Sequence, residues 1–333
     1  MIKWYILIVR GDIMNIKESE LFKLFKEDKI ARGKSLNTLE GNEDGLNSFL
    51  SFLEEKYEVK GNVDDILTSV DSLKVLQFKS YLINSNYARS TVNTKMEQVL
   101  SYYTWLEENG IIAAKPIKVY KKVEEKDKKT KEYLTIEEAE KVFNSIYIRQ
   151  PRENNFYFSS RRNATMFGFL ASFGLRVENL LTIRFKDIKQ FKEGVLLLNI
   201  PKTKVKDIEV NVYISGRLLK IFEEYVSVRK EYNLPCDEDN LVFTSIKNGK
   251  LNKSNVIELL EKLMKRNNID KHITPHCFRV FASNNMYRVV DRILVKKLLG
   301  WSLKQEGVMA EVYFRDTDYV IEESIKACAL FLG

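Results

Sequence analysis

Across 333 residues the chain is 44% hydrophobic and 30% charged, enough apolar sequence for one large or two modest cores, which excludes a disordered or fibrous polymer. Its net charge of +8 and pI near 9.0 are compatible with a polyanionic partner, although charge alone does not decide for one. Cys236, Cys277 and Cys328 show no paired spacing, which argues against a disulfide framework and for a reducing, cytoplasmic compartment.

The run Trp4-Tyr5-Ile6-Leu7-Ile8-Val9 is too short to span a bilayer and lacks a small-residue cleavage site, so neither a membrane span nor a secretion signal is expected. Met14 precedes a polar helix start, Asn15-Ile16-Lys17-Glu18, which leaves residues 1–13 open to two readings, an upstream-start artefact or a genuine extension. From Glu18 to about Gly110 apolar residues recur with helical period. Examples are Leu21, Leu24 and Phe25, then Leu46, Phe49, Leu50 and Leu53, then Val92, Met96, Val99 and Tyr103. Ser35 and Ser90 are the expected N-caps of two of these helices. The pattern predicts a helical first domain over residues 14–114.

Between Lys115 and Lys131 the period stops, and Lys118, Lys121, Lys122, Lys128 and Lys129 mix with Glu124, Glu125 and Asp127. Residues 115–131 therefore read as an exposed linker whose lysines can lie along phosphates. A second domain, residues 132–333, opens with Thr135 as N-cap and Glu138 as its capping-box partner. Gly174-Leu175-Arg176 then opens an amphipathic helix, and Gly194 to Ile200 and Asp207 to Ile214 are β-rich runs expected to pair as a hairpin. On the intervening turn stand Lys202 and Lys204, and a mobile ammonium there can protonate a departing alkoxide or neutralise a phosphate. Pro275 favours the first turn of a helix, so His276 and Arg279, at i and i+3, project from one face near its N-terminus, a geometry that suits an anion. Val320 to Phe331 predicts a short amphipathic helix. The fold class that follows is mainly α with a small antiparallel β-sheet. His272 and His276 flank Thr274-Pro275 and make a poor helical metal pair, and no Gly-rich P-loop occurs, so neither a metal nor a nucleotide cofactor is expected.

Arg176, the His276-Cys277-Phe278-Arg279 box, Leu299-Gly300-Trp301 and the late Glu311-Val312-Tyr313-Phe314-Arg315 resemble, in order and spacing, the boxes of the tyrosine recombinase or phage integrase family, with its XerC/XerD-like and lambda-integrase-like site-specific recombinases. Gly174, Leu175, Leu180, Ile183, Asp187 and Ile188 stand in register with the family's first box, while Asn179 fills its acidic place and Glu178 sits one residue early. The resemblance implies a helical, SAM-like core-binding domain followed by a mixed α+β catalytic domain. It implies attack by a tyrosine oxygen on a DNA phosphorus, giving a 3′-phosphotyrosine and a free 5′-hydroxyl without ATP or metal. Tyr313 is the implied nucleophile and Tyr319 the alternative; at the family's usual distance from Trp301 the chain has Ala310. Arg176 and Arg279 would hold the nonbridging oxygens, His276 would share the tyrosine proton, and Trp301 would donate through its indole N–H. Lys202 is the implied general acid, with Lys204 as runner-up. The implied partners are duplex DNA with paired recombinase sites, three further copies in a homotetramer joined by exchanged C-terminal segments, with an intramolecular dock of that segment as the alternative, and accessory DNA-bending proteins. The implied service is mobile-element integration or excision, or chromosome dimer resolution. The competing expectation is a DNA-binding regulator or architectural protein that keeps the fold but has impaired turnover.

Overall fold

A computed structural model of the chain describes residues 14–124, 132–147, 155–200, 210–302 and 317–332. The chain divides into two compact units, residues 1–129 and 130–333, each with its own apolar core.

The first unit is helical: α1 (Glu20–Ala31), α2 (Leu36–Tyr57), α3 (Val63–Thr68), α4 (Ser72–Asn84) and α5 (Arg89–Glu108). Their caps explain where they start. Ser19, Ser35, Asn62 and Asp71 each accept a hydrogen bond from a first-turn backbone N–H. Ser90 does not cap α5 as expected; the cap is Ala88, with no side-chain bond, and Arg89 already lies in the helix. The long helices α2 and α5 pack at close range through Gly45, where a Cβ would stand 2.5 Å from the Cβ of Gln98. Phe22, Phe25, Phe49, Phe52, Phe78, Tyr102 and Tyr103 fill the core.

The stretch expected as a free tether from Lys115 onward follows a different course. Ile117, Tyr120 and Val123 pack on the first unit's core. Asn93 on α5 clamps the chain with three bonds, accepting from Tyr120 Oη at 2.8 Å and the Val123 N–H at 2.8 Å and donating to the Val123 carbonyl at 3.0 Å. Residues up to Glu124 therefore belong to that unit, because two apolar positions and an aromatic in the basic run find a core to cover.

The second unit contains α6 (Ile136–Ile146), α7 (Asn155–Phe173), α8 (Val177–Leu180), β1 (Ile188–Lys192), β2 (Val195–Asn199), β3 (Asn211–Ser215), α9 (Gly216–Glu231), α10 (Lys253–Arg266), α11 (Pro275–Met286), α12 (Arg292–Leu298) and α13 (Asp318–Cys328). Thr135 and Glu138 form the expected capping box. The expected hairpin is present as β2 and β3, antiparallel with Val195 opposite Ser215 and Asn199 opposite Asn211. A further strand, β1, precedes it and completes the sheet order β1-β2-β3. Helix α7 is the central post, packing α6, α9 and α11, while α13 packs on β3, α11 and α12.

Candidate active site

Three chain reversals converge on one arginine. The first is the end of α7, where Gly174 takes φ +57 and is followed by Arg176 as the N-cap of α8. A side chain at 174 would face strain from that backbone conformation and crowding as well. Its Cβ would lie 3.0 Å from Leu299 Cδ2, 3.1 Å from Ala282 Cβ and 3.2 Å from Arg279 Cα. Glycine here lets the α7–α8 turn press against α11.

The second is the start of α11. Pro275 occupies the first turn as the sequence requires, and Thr274 before it is bound at 3.4 Å by Cys277 Sγ, which accepts its backbone N–H. His276 is exposed at this end, and Arg279, one turn on, is only 7% exposed. The third is the end of α12, a Schellman turn: Gly300 at φ +61 donates to the Lys297 carbonyl at 3.0 Å and Trp301 to the Lys296 carbonyl at 2.8 Å.

Arg279 ties the three together. Its Nη1 donates to the Gly174 carbonyl at 2.9 Å, its Nη2 donates to the Leu299 carbonyl, and its guanidinium carbon lies 5.5 Å from the centroid of the Trp301 ring. Arg176, Asn179 and Arg279 share a small cavity of about 10 Å³ whose other walls include Phe173, Leu175 and Leu298. Burial, and then repulsion from Arg176, push the Arg279 guanidinium down to about 10. Burial also lowers Arg176, with the Glu178 charge working against it.

Neither arginine has an ion-pair partner among the described residues. Glu178 is exposed and pairs with Lys253 on α10 at 3.8 Å, away from the cavity. Asn179, 7% exposed, lines the same cavity as the two arginines and brings no charge to it. Two like charges that share one small, largely apolar cavity favour an anion with several oxygens, and a guanidinium fork suits a phosphate.

The structure thus brings together Arg176, Arg279 and Trp301, with His276 on the same helix as Arg279. Tyr313, Lys202, Lys204, Lys128 and Lys129 lie outside the described residues. Tyr319 sits in the first turn of α13 and is 65% exposed. Of the basic run, Lys118 is exposed, Lys121 uses its carbonyl to hold Lys79 Nζ, and Lys122 pairs with Glu97 at 2.6 Å. Sequence reasoning missed that the carbonyls of Gly174 and Leu299 orient Arg279; the glycines at 174 and 300 are the signal that was there to use. Among the described residues no cluster of His, Cys, Asp or Glu could hold a metal, and no helix is long and apolar enough to cross a membrane.

The sequence profile of the phage integrase family matches residues 128–318. The chain is 24% identical over 273 residues to tyrosine recombinase XerC of Thermodesulfovibrio yellowstonii, covering 82% of this chain and 84% of that protein. It is 22% identical over 289 residues to tyrosine recombinase XerD of Halalkalibacterium halodurans, covering 86% and 90%. Among solved structures, XerH recombinase bound to a palindromic difH substrate in a post-cleavage complex superposes with a TM-score of 0.65 at 19% identity, covering 94% of this chain and 86% of that one. A lambda integrase dimer bound to a COC′ core site superposes with a TM-score of 0.59 at 12% identity, covering 89% and 76%. The fold is shared with both.

Proposed function

Because this chain belongs to the phage integrase family, we propose that it is a site-specific DNA recombinase that cuts and rejoins strands through a covalent phosphotyrosine. The observation that carries the reading is the pair of guanidiniums at Arg176 and Arg279, one buried and aimed by two backbone carbonyls, with no ion-pair partner among the described residues. Such a pair binds the two nonbridging oxygens of a phosphodiester and gains most when charge builds on them in the transition state.

In the reaction the Tyr313 oxygen forms a bond to phosphorus as the bond to the 5′ oxygen breaks. The tyrosine proton passes to or is shared by His276, and the departing 5′ oxygen takes a proton from Lys202, with Lys204 the alternative donor. Attack by a 5′-hydroxyl of another strand reverses the step and releases the tyrosine. The phosphoester bond energy is retained throughout, so the chemistry consumes no nucleotide. Paired binding sites, a homotetramer and an exchanged C-terminal segment are the assembly this reading calls for, since strand exchange joins four cut ends. Accessory DNA-bending proteins and the service to a mobile element or a chromosome belong to the same proposal.

Asn179 supports one competing reading, a DNA-binding regulator with impaired turnover, because among the described residues no carboxylate lines the cavity that the two arginines share. Covalent trapping separates the two. On nicked duplexes made from DNA flanking the gene, in chelator, the unaltered protein should form a denaturant-resistant adduct that Tyr313→Phe abolishes and Tyr319→Phe retains. Loss only in Tyr319→Phe moves the nucleophile; tight binding without any adduct supports the regulator.

A further inference from the structure

Trp301 faces Arg279 with its ring, and the ring's placement is tied to the hydrogen bonds of the same arginine. The Schellman turn that ends α12 does two things at once. It turns the Leu299 carbonyl toward Arg279 Nη2, and it fixes Trp301, through its backbone N–H on Lys296 at 2.8 Å, so that its centroid lies 5.5 Å from the guanidinium carbon. Gly300, at φ +61, is the residue that permits the reversal. With Nη1 on the Gly174 carbonyl at 2.9 Å, the fork is fixed by three contacts from two different turns. Two of its donors are committed to the fold, and the remaining N–H groups keep a direction set by those contacts.

We propose that Trp301 is a positioning residue, holding Arg279 charged and correctly aimed at the scissile phosphate through the face of its ring, and not as an N–H donor to a phosphate oxygen. The inference rests on the recombinase reading of the site. A planar guanidinium over an indole face is attracted by the ring's quadrupole, and the attraction is strongest where water is kept away. Arg279, at 7% exposure, is such a place. Burial, and then Arg176, push its guanidinium down to about 10, so the charged form gains more from this support than that of a surface arginine would.

The two roles for Trp301 call for opposite chemistry in its replacement. Trp301→Phe keeps an aromatic face and has no N–H; Trp301→Gln keeps a donor and has no face. Single-turnover adduct formation on nicked duplex should stay within about three-fold of the unaltered protein in Trp301→Phe. In Trp301→Gln it should fall by about thirty-fold, the scale of a desolvated cation–π contact. The alkaline limb of the rate against pH should move to lower pH in Trp301→Gln and remain in place in Trp301→Phe. Melting curves of both variants check that each is folded at the assay temperature. A Trp301→Gln protein that cleaves as well as Trp301→Phe, or a Trp301→Phe protein that falls as far as Trp301→Gln, overturns the proposal.

A second readout needs no DNA. In protein with ¹⁵N-labelled arginine, the Nε–H signal that disappears in Arg279→Lys should be displaced by the ring in the unaltered protein and in Trp301→Phe, and return toward the free-arginine position in Trp301→Gln. A signal unmoved by Trp301→Gln overturns the contact itself. An unaltered protein that forms no adduct overturns the recombinase reading instead, an outcome that cannot be confused with a variant-specific loss.

Discussion

Arg279 concentrates the site's chemistry in one side chain, so its replacement is the most informative single change. On the proposed function Arg279→Ala removes a donor to the scissile phosphate and should lower adduct formation by about 10²–10³-fold. Arg279→Lys should recover little, because an ammonium cannot bridge the Gly174 and Leu299 carbonyls and still present a planar fork. The pH dependence has a definite sign. Arg279, pushed down to about 10, loses its proton as pH rises through that value, so cleavage measured on free protein should decline on that side. Stability moves the other way: between about 10 and the ordinary arginine value the unfolded chain holds more protons than the folded one, so unfolding free energy rises with pH there. Urea titrations at two alkaline pH values, compared with Arg279→Gln, isolate that slope. Gly174→Ala tests the support beneath the arginine. With φ +57 and contacts of 3.0–3.2 Å waiting for a Cβ, it should cost about 1–3 kcal/mol in a urea titration, and it should lower cleavage as well.

Elements were legible where a local rule decides them and illegible where a partner far along the chain does. Pro275 and the Thr135–Glu138 capping box announce their helices because the interactions that start a helix lie within four residues of its first turn. The hairpin of β2 and β3 was readable from its apolar content. Strand β1 was not, since four of its five residues are exposed and only pairing with β2 makes it a strand. Nor was the stacking of Trp301 on Arg279, which depends on where α12 ends relative to α11. Arg176, Arg279 and Trp301 could be singled out as candidates from the chain, whereas the carbonyls of Gly174 and Leu299 that hold Arg279 could not. Close packing of α2 on α5 is a similar hidden requirement, and it yields a test at this scale. Gly45→Ala places a Cβ 2.5 Å from Gln98 Cβ, an atom that cannot swing aside, so the two helices must separate at a cost of about 1–3 kcal/mol. Gln98→Gly in the same chain removes the obstructing atom and should restore part of the loss, a coupling that a double-mutant cycle in urea would read directly.

For the molecule as a whole, two separate cores mean that damage to one unit need not spread to the other. The C-terminal segment bears on assembly. Leu332 is 4% exposed and its carbonyl accepts from the Leu218 N–H at 2.8 Å, while the Phe331 ring meets Phe143, Phe167 and Phe281 at 5.6–6.3 Å. All of these partners lie in the same second unit, so the tail satisfies its own chain. Exchange with a neighbouring copy would replace one set of such contacts with an equivalent set and gain little by itself. The free protein should therefore melt at a temperature independent of its concentration, because the described contacts of Phe331 and Leu332 are all made within one chain. Deleting residues 329–333 should lower that temperature, with about 2–4 kcal/mol lost from the burial of Phe331 and Leu332. A melting temperature that climbs with protein concentration in the full chain and not in the truncated one would instead place the tail on a neighbour before DNA is bound. If the concentration dependence appears only when duplex with paired sites is added, DNA is what drives the exchange, as expected when the gain comes from joining copies already held side by side.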